Sequence, residues 1–317
     1  MRTALLVVLA LLLATPAGAT TFVVTTDAQR NTAVTTAVAG DLIDVRAGTY
    51  TGTFVPTNSG TAGNYITVKG AVGSDSVGTR ICTIGLSWTS GTARQYISWK
   101  GINFRDDVQF ILAQSCSLTY CRVDSGGFVS YGSNSDPTSN GISENNYIGD
   151  CTFRQNLGNG SFALVMKRTE RTTVQRSRFY QTITAATVDA RGRYLYRSSN
   201  NRFTDTAFYI ECWGAQAADQ EQFAQGIRDS SKNNIFTRDS LWVGLTSKRG
   251  RKALLSQSGS FPGTATPNYW YNCDFRAFHE TSTDNSFQFQ DGTGGGVYNC
   301  VFATRIGRPL ALDGSAV

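Results

Sequence analysis

The stretch Tyr269-Trp270-Tyr271-Asn272-Cys273-Asp274-Phe275 decides how this chain folds. A short alternating run leads into a polar residue, then a small residue, one more polar position and a large apolar one. Period-two alternation is the mark of a strand with one buried face. The same register recurs at Cys121-Arg122-Val123, Cys151-Thr152-Phe153 and Cys300-Val301-Phe302. It recurs without cysteine at Gly101-Ile102-Asn103-Phe104, Arg176-Ser177-Arg178-Phe179, Asn200-Asn201-Arg202-Phe203 and Asn233-Asn234-Ile235-Phe236. The eight apolar anchors are therefore 104, 123, 153, 179, 203, 236, 275 and 302, separated by 19 to 39 residues. A short strand set, a turn residue and an inward apolar residue repeated at such intervals is a solenoid pattern, and the uneven gaps fit loops inserted into a constant coil.

Composition selects the kind of solenoid. The 317 residues include only 6 Lys and 5 Glu against 23 Arg and 18 Asp, with 32 Gly and 2 Met. Good helix formers are scarce, which argues against helical repeats. Leucine ladders are missing, and propeller blades would need longer units. The reading is all-β: a single-stranded right-handed parallel β-helix in which each coil stacks on the last at ~4.8 Å. Phe should ladder inside, Asn should mark turns, and Cys or Ser should fill small spaces beside Phe. Stacked cysteines in that geometry stand about one strand spacing apart, wider than the ~3.8 Å between Cβ atoms that a disulfide prefers. Cys121, Cys151, Cys273 and Cys300 are thus expected to be buried thiols, while the register leaves Cys82, Cys116 and Cys212 open.

The chain opens with Arg2 and an apolar run from Ala4 to Ala14, followed by Pro16-Ala17-Gly18-Ala19. This order of charge, apolar core and small residues predicts a signal peptide over 1–19 and a secreted or periplasmic protein, with 20–317 as one domain. The apolar run is too short for a permanent span. Thr26-Asp27 can cap a helix over Ala28 to Val38 whose Ala33, Val34, Ala37 and Val38 form an apolar stripe, suited to covering the open end of the solenoid. Leu42 to Val45 is the expected first strand.

The opening from Ala39-Gly40-Asp41-Leu42 through Gly48-Thr49-Tyr50, followed by Ser59-Gly60-Thr61-Ala62-Gly63-Asn64-Tyr65-Ile66-Thr67, resembles the start of pectate-lyase-like β-helix enzymes. It resembles in particular the chondroitinase B and alginate lyase family, polysaccharide lyase family 6. A second similarity runs from Gly226-Ile227-Arg228 through Asn234-Ile235-Phe236 to Thr246-Ser247-Lys248. The resemblance implies that Lys248 is the lysine base of β-elimination. It also implies calcium held by two Glu, seven and five positions before the lysine, and an arginine one coil later. Those positions hold Leu241, Val243 and Gln288 here, so no cofactor is expected from this set, and Ca²⁺ would need other ligands.

A lyase acting on a uronate chain needs a cation for the carboxylate, a base for the C5 proton and an acid for the leaving oxygen. Arg228 is the candidate carboxylate neutraliser and Lys248 the candidate base. Arg249, Arg251, Trp213 and Gln288 are candidate substrate contacts in the longest inter-anchor segments. The basic run Lys248-Arg249-Gly250-Arg251-Lys252 also reads as a solvated loop tip. The net charge of +6 favours an acidic polysaccharide as partner. No nucleic-acid-binding motif is present, and no membrane insertion is expected. One histidine, His279, excludes multi-histidine metal sites. The alternative to a lyase is a non-catalytic β-helix for glycan binding, adhesion or surface structure.

Overall fold

The computed structural model describes residues 18–52, 54–70, 80–82, 94–104, 107–124, 126–132, 141–157, 162–183, 190–212, 222–228, 231–245, 251–257, 267–279, 287–290, 295–304 and 311–313. The signal-peptide reading of the first residues falls outside them, apart from Gly18 and Ala19. Three parallel sheets of eleven, ten and eight strands wind as a parallel β-helix. The first sheet runs in chain order from Thr21–Val24 to Gly295–Tyr298, and the second from Thr49–Thr51 to Val301–Thr304. The third runs from Val108–Ile111 to Ala311–Asp313. Among the described residues no helix is long and apolar enough to cross a membrane.

Rows of equivalent residues form the core. The first sheet contributes Ile43, Val68, Trp99, Leu118, Ile148, Val174, Phe203, Phe236 and Trp270 in continuous register. The second contributes Phe104, Val123, Phe153, Phe179, Phe208, Leu241, Phe275 and Phe302. Rings stack where phenylalanines succeed one another: Phe153 and Phe179 lie 4.6 Å apart, Phe179 and Phe208 4.5 Å. Two anchors read from the sequence are thereby corrected. Phe203 and Phe236 belong to the first sheet, and their places in the second-sheet row are taken by Phe208 and Leu241.

Tight corners explain both the repeat and the error. From the first to the second sheet the chain turns through a left-handed residue followed by a buried one: Asp150 (φ 55) then Cys151, Arg176 (φ 46) then Ser177, Arg238 (φ 52) then Asp239, and Asn272 (φ 56) then Cys273. From the third to the first sheet it does the same at Asn200 (φ 59) then Asn201, and Asn233 (φ 56) then Asn234. Asn and Asp accept this conformation readily; Arg does so only under outside constraint. Two such corners carry it through ion pairs, Arg176 with Asp150 in the preceding coil at 2.7 Å and Arg238 with Asp205 at 2.6 Å.

The buried corner residues form ladders of their own. The Asn201 side-chain amide donates to Asn234 Oδ1 at 3.0 Å, and that of Asn234 to Asn268 Oδ1 at 2.9 Å. Backbone groups at the corner that could not join a sheet are satisfied in this way. In the other ladder the Cys151 amide donates to Ser177 Oγ at 3.2 Å, and Cys273 N–H to Cys300 Sγ at 3.3 Å. Cys121, Cys151 and Cys273 are free and buried, as the register required, and so is Cys116. Cys300, in the last coil of its sheet, is only half-buried. The side chains of Cys82 and Cys212 lie outside the described atoms.

At the N-terminus Thr26 caps a helix over Asp27–Thr36 with a reciprocal box to Gln29. Ala33, Val34 and Ala37 are buried, but the helix ends before Val38, which is half exposed. A strand the sequence reading omitted, Thr21–Val24, precedes the helix and pairs with Leu42–Val45. Tyr50 of the Gly-Thr-Tyr motif ties this end together, donating its hydroxyl to the carbonyls of Val24 at 3.0 Å and Arg46 at 2.8 Å.

Candidate functional site

The third sheet gathers the chemistry. Its strands Phe128–Tyr131, Phe162–Lys167, Ala190–Tyr196 and Gln222–Arg228 end on one row, in which Tyr131 aligns with Lys167, Lys167 with Tyr196, and Tyr196 with Arg228. Neighbouring positions in such a row stand ~4.8 Å apart. A primary amine, a phenol and a guanidinium position thus succeed one another along three coils. Met166, Leu195 and Ile227, one residue earlier, point into the core and anchor the row from beneath. Lys167 and Tyr196 are half-buried, and the Arg197 guanidinium lies 5.2 Å from the Tyr196 ring. Arg197 itself has a φ of 49°, so the chain leaves the sheet at once after the row.

Beneath these strands lies a buried charged inclusion. Arg193 is wholly buried and donates from Nη1 to Asp239 Oδ2 at 2.7 Å and from Nη2 to Gln225 Oε1 at 2.6 Å. Its guanidinium carbon sits 4.3 Å from the ring centres of both Phe203 and Phe236. Thr206 donates to the other Asp239 oxygen. Burial pushes the Arg193 guanidinium below its ordinary value, and Asp239 offsets part of that shift. Gln225 precedes Gly226, two residues from Arg228, so the inclusion braces the strand that carries the arginine.

Of the site residues expected from sequence, Arg228, Arg251 and Gln288 have described backbone positions. Gln288 aligns with Leu255, and Leu255 with Gly226, which puts Gln288 in a row two residues from that of Arg228. Arg251 opens its strand opposite Gln222, six positions before Arg228 and at the far end of the sheet. Six residues of strand span ~20 Å, so the two do not share one point of the surface. Lys248, Arg249 and Trp213 lie outside the described residues. Leu241 and Val243 are fully buried core residues of the second sheet, so carboxylates there would face the hydrophobic interior. Among the described residues no group of three His, Cys, Asp or Glu could hold a metal ion.

Lys167 and Tyr196 escaped the sequence reading. Each ends an ordinary strand with no motif around it, and only the strand register brings them beside Arg228.

No protein-family model matches the chain, and no curated protein matches it in sequence. Among the solved structures it is similar to are three lyases. The alginate lyase from Paenibacillus sp. str. FPU-7 is 15% identical, with 88% of this chain and 97% of that one covered and a TM-score of 0.37. A PL6 family polysaccharide lyase from Pseudopedobacter saltans is 13% identical, over 85% of this chain and 66% of that one, with a TM-score of 0.38. A mannuronic acid specific family 6 lyase from human gut microbiota is 11% identical, over 92% and 83%, with a TM-score of 0.34. Likeness at this level leaves the functional reading to this chain's own residues.

Proposed function

We propose that this protein is a secreted polysaccharide lyase that cleaves a uronate-containing polysaccharide by β-elimination. The observation that supports it is the row of Lys167, Tyr196 and Arg228 at the ends of adjacent strands. A guanidinium at Arg228 would pair with the uronate carboxylate, drawing charge from C5 and making its proton easier to remove. A base takes that proton, the C5–H electron pair becomes the C4=C5 double bond, and the C4–O4 bond breaks. Tyr196, between the two cations, is placed to return a proton to the departing oxygen. Two lysines compete for the base: Lys167 by register and Lys248 by resemblance. Arg249, Arg251, Trp213 and Gln288 remain proposed contacts along the substrate.

The test is incubation with alginate, pectate, chondroitin and dermatan, with and without Ca²⁺, following ultraviolet absorbance of the unsaturated product. Arg228→Ala should lower turnover by ~10²–10³, the scale of losing one charge-stabilising donor. Lys167→Ala and Lys248→Ala, measured separately, identify the base. If no glycan yields unsaturated ends, the lyase reading is wrong.

The burial of Leu241 and Val243 favours a second reading, a non-catalytic β-helix that binds glycan. Retention on a glycan array without shortening of the glycan would support it.

A further inference from the structure

The outer face of the second sheet carries a stripe that the proposed reaction does not use. Arg154, Tyr180, Tyr209, Trp242 and Arg276 occupy one row across five consecutive coils. The residues on either side of each point inward and are buried, so this row faces outward. Tyr180 and Tyr209 stack at 5.0 Å, the Arg154 guanidinium lies 5.4 Å from the Tyr180 ring centre, and that of Arg276 lies 4.9 Å from Trp242. An aromatic ridge is thus flanked at both ends by arginines, of which Arg276 is ion-paired with Asp274 at 2.8 Å.

The ridge is interrupted at one step. Tyr209 and Trp242 are 5.9 Å apart and splay by 55°, whereas Tyr180 and Tyr209 differ by only 11°. The floor beside Trp242 is cleared, while the same row one coil earlier, beside Tyr209, carries the exposed Glu211. Gly244 follows Trp242 in the next outward position, and a Cβ there would meet nothing closer than the Ile210 carbonyl at 4.0 Å. On the other side of the ridge the same two coils carry Ala207 and Ser240, the smallest residues of their row, next to Arg178. Arg154 and Arg178 are exposed, and neither has a carboxylate partner among the described residues.

We infer that this stripe holds a segment of an anionic pyranose chain, with a sugar ring packed over the outward faces that Tyr209 and Trp242 expose where they splay and carboxylates on Arg154 and Arg178. Pyranose rings present C–H faces that pack on aromatic surfaces, and their hydroxyls suit tyrosine hydroxyls and the indole N–H. Arginine reads carboxylates through paired N–H donors. An extended pyranose chain advances by about one strand spacing per sugar, so donors repeated once per coil keep step with it. The stripe lies on a different sheet from Arg228 and serves retention rather than cleavage. It shares with the proposed function only the acidic-glycan class.

The experiment is affinity electrophoresis in native gels containing alginate, or dextran as a neutral polymer. The wild-type protein should be retarded by alginate and not by dextran. Arg154→Gln/Arg178→Gln, which alters only exposed side chains, and Trp242→Ala should each lower the alginate affinity at least tenfold. Arg202→Gln, which removes an exposed arginine of the first sheet, should leave the retardation in place. Retardation of both stripe variants equal to wild type, equal retardation by dextran, or no retardation of the wild type would overturn the inference. Because retention is read without turnover, a protein that cleaves nothing but loses retention in the stripe variants would refute the lyase reading alone. Intact retention beside Arg228-dependent cleavage would refute the stripe alone.

Discussion

Arg193 and Asp239 meet at 2.7 Å with both side chains wholly shielded from solvent. The pair joins a third-sheet strand to the corner between the first and second sheets, across the interior of the coil. Ions taken out of water lose several kcal/mol each, and their attraction repays this only with good geometry and further hydrogen bonds. Gln225 and Thr206 supply those bonds.

Breaking the pair from one side should therefore be severe. Asp239→Ala leaves a buried guanidinium uncompensated and should cost about 3–5 kcal/mol in urea unfolding. Replacing both partners with apolar residues of similar volume should recover most of that loss. A single variant within ~1 kcal/mol of wild type would show that the pair does not brace the coil.

The Asn ladder should be nearly as sensitive. Asn234 accepts from the Asn201 backbone and donates to the Ser198 carbonyl at 3.0 Å. Asn234→Ala orphans both groups inside the protein, each worth about 1–3 kcal/mol. Chemical denaturation should show a loss of at least ~2 kcal/mol, and a neutral substitution would mean that water replaces the side chain.

Core ring and corner thiol should differ sharply. Phe153→Ala removes a ring stacked on Phe179 and should cost about 3–5 kcal/mol through the cavity left behind. Cys151→Ser should be mild, because Ser177 fills the equivalent corner one coil on and donates to the Gln175 carbonyl at 2.9 Å. A serine variant as unstable as the alanine one would contradict the ladder.

Burial pushes the Cys116 thiol up to about 12, and those of Cys151 and Cys273 also rise by desolvation. Site-resolved alkylation should modify the half-buried Cys300 first and spare Cys116, Cys121, Cys151 and Cys273 until unfolding. The linkage follows from the sign of the shift. A thiol whose folded pKa is raised gives stability that is complete below its unfolded value of ~8.5 and is lost as pH climbs toward the folded value. Stability should accordingly decline above pH ~8.5, and less so when Cys151 is serine. A flat alkaline limb would refute it.

At the acid end the sign reverses. Arg176 holds the Asp150 carboxyl below its ordinary range through a side-chain hydrogen bond, and Arg238 does the same for Asp205. Their contribution is present above the unfolded carboxylate value of ~3.9 and fades as pH falls below it. Asp150→Asn should flatten the onset of acid unfolding, and an unaltered onset would show the corner pair to be inert.

The solenoid could be read from sequence because each coil repeats one grammar: a left-handed polar residue, a small buried residue, an outward position and an inward ring. The same grammar misplaced Phe203 and Phe236. Asn200-Asn201-Arg202-Phe203 enters the first sheet through a corner built like the one at Asn272-Cys273-Asp274-Phe275, which enters the second. Both corners solve the same backbone problem, so one dimension of sequence does not tell them apart. The candidate site was less legible. Arg228 stood out within a motif, but Lys167 and Tyr196 are 61 and 32 positions before it and become its neighbours only when coils stack. The Leu241 and Val243 positions were read by counting back from Lys248, and counting does not reveal which face of a strand a residue occupies.

From the strand Ile97–Lys100 onward the corners between the first and second sheets take two residues, as at 150–151, 176–177, 205–206 and 238–239, whereas the first coil uses three, 46–48. The links from second to third sheet instead vary, from 105–107 to 213–221. Length has thus been partitioned around the coil: one side works as a fixed hinge pin and the other as an open margin. Segments can be grafted, trimmed or exchanged in that margin while the stacking distance stays put. New specificity could then arise by rewriting the margin alone, with the scaffold beneath as indifferent to the text as a ruled page.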